Sequence, residues 1–146
     1  MSSQPAGRVL ALDLGHKRIG VAVSDPDRAI AQPLCVIERA GRDQDVAAIG
    51  QVAVAQEATL IVLGLPRRTD DSLGPEAGKA LTFGKRLGRV LGLPVAYVDE
   101  WETTVEAQAL LISGGASRAR RRQVVDKLAA ALILQRFLQG RGVESE

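Results

Sequence analysis

The sequence holds one cysteine and one histidine in 146 residues. A single Cys35 cannot close an internal disulfide, so no stapled framework is available and a reducing compartment is expected. Lying inside an apolar stretch, it reads equally as an inert buried thiol and carries no catalytic argument. The lone His16 leaves no histidine-rich metal site. Long apolar runs are missing too. The longest, residues 128–134, falls well short of the ~18 residues a membrane span requires. Residues 1–10 lack the charged start and apolar centre of a secretory signal. With 46% hydrophobic and 25% charged residues, the composition is that of an ordinary globular chain, which removes the disordered and collagen-like classes. We expect one domain over residues 1–146, with 1–7 and 140–146 as flexible tails, in the cytoplasm.

Lysine is scarce: the 19 basic residues comprise 15 Arg and 4 Lys, although the net charge is only +2. Guanidinium forks suit bidentate phosphate contacts better than ammonium groups do. The clustering matters more than the total. Arg118, Arg120, Arg121 and Arg122 lie within five residues, and Arg67 with Arg68 forms a second patch. Local basic patches of this kind point to a polyanionic partner.

Strand and helix patterns alternate along the chain with no long linker or internal repeat. Residues 9–14 form an apolar run that stops at Gly15. Residues 19–23, rich in β-branched side chains, end at the turn formers Ser24, Asp25 and Pro26, so the two runs predict a hairpin. Residues 30–37 offer a third strand in which Pro33 demands an edge or a bulge. Val46, Ile49, Val52 and Ala53 recur at helical spacing and predict a helix over 43–56. Residues 60–63 read as a buried strand. Pro75 and Glu76 open a second helix through about Leu91, closed by Gly92 and Pro94, and residues 95–98 form a strand running into Asp99 and Glu100. Thr103 and Glu106 make a capping box for another helix. After Gly114 and Gly115 come the arginines, and residues 123–139 predict a last helix, apolar nearly all round and hence packed on the sheet. The fold class is α/β: a mixed five-stranded sheet, three antiparallel strands followed by two parallel ones, flanked by helices.

Three acids sit where a carboxylate is awkward. Asp13 ends the best strand and is costly to desolvate there without a partner, although an Asp before a glycine also simply forms turns. Asp99 and Glu100 finish another strand, where alternation lets only one of them face a given side, and for an isolated pair solvation or capping is the better account of either. Asp126 interrupts an apolar helix in what the pattern makes its first turn, a place the helix dipole also favours for an acid. Together the three sit at two strand ends and a helix start, an arrangement able to converge on one sheet edge. Converging carboxylates repel unless a cation lies among them, and hard oxygen donors select Mg²⁺ or Mn²⁺.

The run Asp13-Leu-Gly-His-Lys-Arg-Ile-Gly-Val-Ala-Val-Ser-Asp25 resembles the opening motif of the YqgF/RuvX family, ribonuclease-H-like proteins regarded as candidate Holliday-junction resolvases or pre-16S rRNA nucleases. Further blocks agree in order: Val62-Leu-Gly-Leu-Pro66, then Val98-Asp-Glu100 with Thr103-Thr-Val-Glu-Ala107, then Asp126-Lys-Leu-Ala-Ala with Ile133-Leu-Gln135. The likeness runs from Val9 to Leu138. It implies an RNase H-like fold and carries over Asp13, Glu100 and Asp126 as catalytic acids that bind Mg²⁺ or Mn²⁺, two ions by expectation. Two ions about 4 Å apart neutralise phosphodiester charge, activate water and steady the departing oxygen. The resemblance implies in-line hydrolysis leaving a 5′-phosphate and a 3′-hydroxyl. Two stretches depart from the family pattern. Arg67-Arg68-Thr69-Asp70-Asp71 replaces an Asn-Met-Asp-Gly-like turn, and Trp101-Glu102 replaces an Arg-Leu pair.

The expected activity is hydrolysis of structured nucleic acid, with 5′-end processing of pre-16S rRNA ahead of four-way DNA junction resolution. The protein would act as a monomer or a homodimer, with no membrane partner. Nucleic acid would be gripped by Lys17, Arg18, Arg67, Arg68, Arg118, Arg120, Arg121 and Arg122. Trp101 could stack on a splayed base or pack in the core. Gly64 either leaves space for metal and phosphate or makes a tight turn. Gly78-Lys79-Ala80 is not a phosphate-binding P-loop, because the required glycine spacing and the following Ser or Thr are absent. An actin-like or sugar-kinase-like nucleotide-binding half is the rival class, but it would need a second domain to close on the nucleotide. A non-catalytic nucleic-acid-binding module is the third reading, disfavoured by retention of all three acids.

Overall fold

The computed structural model describes residues 7–66, 74–100, 117–141 and 143–145. The strands are β1 (Arg8–Leu14), β2 (Arg18–Ser24), β3 (Ala31–Glu38), β4 (Ala58–Pro66), β5 (Val95–Glu100) and β6 (Val143–Ser145). The helices are α1 (Arg42–Ala55), α2 (Pro75–Leu91) and α3 (Arg118–Arg136), the last continuing into a wider turn over Phe137–Arg141. The capping-box helix expected at Thr103, Trp101 and the Arg67-Arg68 patch all lie outside the described residues.

The sheet order is β3-β2-β1-β4-β5-β6. β1 to β3 form the antiparallel meander, and β4 and β5 run parallel to β1. The five expected strands are thus in place. A short sixth, β6, pairs antiparallel with β5 in a stretch the sequence reads as tail. Pro33 satisfies both of its tolerances at once. It lies on the edge strand, and the register steps from Val21↔Cys35 to Ala22↔Pro33, so Leu34 is the extra residue of a bulge. β4, inside the sheet with helices over both faces, is buried from Leu60 to Gly64 and reads as the continuous apolar run such a strand needs.

Alternation divides the sheet into two apolar layers. On one face Leu10, Leu12, Ile19, Val21, Ile61 and Leu63 pack beneath Val46 and Ile49 of α1 and Phe83 and Leu87 of α2. On the other, Val9, Ala11, Ala22, Val62, Ala96 and Val98 meet Ala130, Ala131, Ile133 and Leu134 of α3. α2 ends where the sequence places its stop, at a left-handed Gly92 with φ 69°.

α3 begins five residues before the expected Gln123. Ser117 caps it, its Oγ accepting from the Arg120 amide, and arginines are good helix formers, so the cluster is wound into the helix instead of leading up to it. Asp126 is therefore the ninth residue of the helix and not in its first turn. The dipole explanation for an acid at that position is removed.

Candidate active site

Asp13 is the penultimate residue of β1, at the carboxyl end shared by β1, β4 and β5. It is in register with Gly20 on β2 and belongs to the Val9, Ala11, Asp13 set, so it falls on the α3 face. The turn beyond it is fixed from beneath. The Gly15 amide donates to the Arg18 carbonyl at 2.9 Å, and Arg39 donates through Nη1 to the Gly15 carbonyl at 2.8 Å. Arg39 Nε in turn donates to Asp45 at 3.1 Å, a carboxylate only 3% exposed that also accepts from the Ala40 amide. The Arg39 guanidinium lies 5.6 Å from the Phe83 ring centroid.

Gly20 brings the second acid in. A Cβ at this position would stand 1.9 Å from the Asp126 carbonyl oxygen, so α3 rests on the bare backbone of β2. Cross-strand pairs stand about 4.5–5.5 Å apart at Cα. Asp13 and the Asp126 backbone are consequently separated by little more than one strand spacing, on one face.

Arg18, expected to grip nucleic acid, lies against Asp126, its Nε donating to Oδ2 at 2.7 Å. That hydrogen bond, and the charge behind it, hold the guanidinium pKa above its ordinary value. Both side chains are about one-fifth exposed, so the pair orients the carboxylate without sealing it from solvent. Glu100 ends β5 in register with Pro66; its side chain is outside the described residues. Gly64, in register with Val98, contributes no side chain between β1 and β5. Among the described residues no group of three His, Cys, Asp or Glu forms a ready metal cluster.

The arginines of α3 occupy its first two turns. Arg118, Arg120 and Arg122 are exposed, Arg121 is half-buried, and no acid accompanies them in the first turn. Cations at a helix N-terminus oppose the macrodipole by about 0.3–1 kcal/mol each at the surface. A placement that costs stability fits an anion-binding role better than a structural one. Lys17 is exposed in the turn beyond Asp13. Sequence reasoning missed three residues that build the site: Gly20, Arg39 and Asp45. Gly20 did carry a signal, being a lone glycine among β-branched strand residues.

A family model described as RuvX, Holliday junction resolvase, matches residues 7–140. The chain belongs to the RuvX family. Two relatives described as candidate pre-16S rRNA nucleases illustrate the likeness. That of Pelotomaculum thermopropionicum is 48% identical over 136 residues, covering 92% of this chain and 88% of the relative. That of Caldanaerobacter subterraneus subsp. tengcongensis is 44% identical over 132 residues, covering 90% and 95%. Among solved structures, T. thermophilus RuvC in complex with Holliday junction substrate superposes with TM-score 0.60 at 18% identity, covering 95% of this RuvX chain and 99% of RuvC. That likeness shows a shared fold.

Proposed function

We propose that this RuvX chain is a metal-dependent nuclease that hydrolyses phosphodiester bonds in structured nucleic acid and processes the 5′ end of pre-16S rRNA in the cytoplasm. The observation that carries the reading is the seating of α3 on Gly20, which sets Asp126 beside Asp13 on one face at the strand ends. The donor chemistry of the candidate acids fits a hard divalent cation, since carboxylate oxygens are hard donors and Asp126 already attracts a cation, Arg18. Asp13, Asp126 and Glu100 would hold one or two Mg²⁺ or Mn²⁺ ions. When bound, such ions neutralise phosphate charge and lower the pKa of the attacking water. Arg18 keeps the Asp126 carboxylate in one orientation, and Gly64 leaves the strand ends between β1 and β5 open. Lys17 and the exposed Arg118, Arg120 and Arg122 hold substrate phosphates on the α3 side. Arg67, Arg68 and Trp101 belong to the same reading from sequence. The family's candidate pre-16S rRNA nucleases support the RNA assignment.

The test is cleavage by purified protein with Mg²⁺ or Mn²⁺ on three matched substrates: RNA spanning the 5′ end of 16S precursor, linear duplex DNA and a four-way junction. Asp13→Asn, Glu100→Gln and Asp126→Asn are each expected to lower cleavage by about a hundredfold or more, since even groups one shell behind a metal cost 10–100-fold. Unimpaired cutting by any one of them removes that residue from the site. The second reading is junction resolution, supported by the family description. A junction is two-fold symmetric and needs paired cuts, so this reading requires a symmetric dimer; a monomer in sedimentation that cuts RNA in preference to junctions counts against it.

A further inference from the structure

On the sheet face opposite α3, a groove of about 1230 Å³ opens from the strand ends at Asp13, Gly64 and Pro66 and runs between α1 and α2. Its cations divide into two kinds. Arg39 is bound to Asp45, and Arg86 to Asp43, so neither is available as free charge. Arg42, Lys79, Lys85 and Arg89 are exposed, and none of the four makes an ion pair among the described residues. On α2, Lys85 and Arg89 stand one turn apart and Lys79 lies ten residues before Arg89, all three lining the groove with the buried Phe83. Ten residues of helix span about 15 Å, the axial rise of roughly four nucleotides in one strand of a duplex.

Stability does not account for these four cations. Among the described residues of the groove, Asp45 is committed to Arg39, and Glu76 alone cannot balance the charge of Arg42, Lys79, Lys85 and Arg89. A second copy of the chain is a poor occupant, because a two-fold interface would set the same cations against one another. A polyanion entering from the strand ends meets the charge it needs.

We propose that the α1–α2 groove is a second nucleic-acid track, in which Arg42, Lys79, Lys85 and Arg89 hold the phosphate backbone of the substrate arm adjoining the cut. This rests on the nuclease reading above. The α3 arginines grip one side of the strand ends and the groove grips the other, so the protein takes a substrate that bends over the sheet edge. A bent or branched nucleic acid engages both surfaces, whereas a short straight duplex reaches one.

The test compares wild type with the Lys79→Ala, Lys85→Ala, Arg89→Ala triple variant, all three exposed positions, after circular dichroism and Mn²⁺ titration establish that fold and metal affinity are retained. Binding is measured between 50 and 200 mM salt on RNA and on DNA, each as a branched substrate and as a short linear duplex. Each phosphate contact contributes about 0.9 to the slope of log K against log salt. The variant is therefore expected to flatten the slope by about 2 to 3 on branched substrates and to change it little on the short duplex, with kcat preserved and KM raised. Replacing the same positions by Arg, Arg and Lys should restore the slope. An unchanged slope on branched substrates overturns the groove, as does a wild-type dimer that the triple variant dissociates. If the groove fails while wild type cuts and Asp126→Asn does not, the nuclease reading stands; if wild type with Mg²⁺ or Mn²⁺ cuts none of the substrates, that reading fails whatever the slopes show. RNA and DNA arms that respond alike identify the phosphate backbone, and a response on RNA alone identifies an RNA track.

Discussion

The two faces of the sheet are built to different thicknesses. Beneath α1 and α2 the strands present Leu10, Leu12, Ile19, Val21, Leu63 and Tyr97, a deep layer that keeps the helices away from the backbone. Toward α3 the same strands present Ala11, Gly20, Ala22, Gly64 and Ala96 beside the valines Val9, Val62 and Val98, and the helix answers with Ala129, Ala130 and Ala131 ahead of Ile133 and Leu134. The thick face holds apolar area and hence stability. The thin face lets a helix descend until its backbone touches β2, and this close approach carries Asp126 to Asp13.

This contrast predicts opposite failures. Adding volume should damage the thin face, and removing volume should damage the thick one. Leu12, fully buried under the α1–α2 layer, should cost about 2–5 kcal/mol on substitution by Ala, read as a lowered midpoint in urea unfolding. The folded fraction should still bind Mn²⁺ and cleave within a few-fold of wild type. Gly20→Ala forces its new Cβ against a backbone carbonyl that cannot rotate away. The stability cost is smaller, about 1–3 kcal/mol, yet displacing Asp126 by about an ångström should lower cleavage by about a hundredfold. Equal activity losses per unit of stability from the two variants would dissolve the distinction.

Much of the contrast is legible in the sequence. In the run 9–14 one alternating set is Leu, Leu, Leu and the other Val, Ala, Asp; in 19–23 one is Ile, Val, Val and the other Gly, Ala. Period-two alternation therefore announces a face with large side chains and a face with small ones, and assigns Asp13 to the small one. Which helix covers that face is a matter of long-range topology, and no local pattern discloses it. The start of α3 is hidden in the sequence because the cap is a single Ser117 ahead of a charged, non-periodic stretch, so the apolar period becomes visible only from Gln123 onward. The sequence places Arg18 just beyond Asp13 among the basic residues and discloses nothing of its ion pair, because the partner Asp126 lies 108 positions away. Asp45, an acid one turn into α1, is buried by Arg39 and the Ala40 amide, contacts that exist only once the β3–α1 turn is folded.

A smaller effect is expected at Arg18, and it sharpens the account of the thin face. Arg18 does not reach substrate through the atom that matters here; its Nε is engaged with Asp126. Arg18→Gln should lower Mn²⁺ affinity and cleavage by about 10–100-fold, as loss of a group that orients a metal ligand does. Arg18→Lys should recover only part of the loss, since an ammonium supplies the charge without the fixed direction of the guanidinium. Substrate binding measured without metal separates this from a phosphate contact. A slope of log K against log salt that flattens in Arg18→Gln would return the residue to the substrate-gripping set.

The smallest effect lies off both faces, in the turn between β2 and β3, and serves as the control. Asp25 Oδ1 accepts from the Ala29 and Ile30 amides, each at 2.8 Å. Those bonds, Ile30's foremost, hold the carboxyl below its ordinary value. A depressed carboxylate contributes stability that is fully present above its unfolded value, about 3.9, and is lost as pH falls through the folded value. Wild type should therefore lose a small increment of stability below about pH 4 that Asp25→Asn does not lose, so the two unfolding midpoints approach each other as acid is added. The site should not register the change: Mn²⁺ affinity and cleavage at neutral pH should match wild type, because the turn lies at the opposite end of β2 from Arg18 and Gly20. A constant gap between the midpoints from pH 7 down to 3 would show that the Asp25 contribution is independent of its charge.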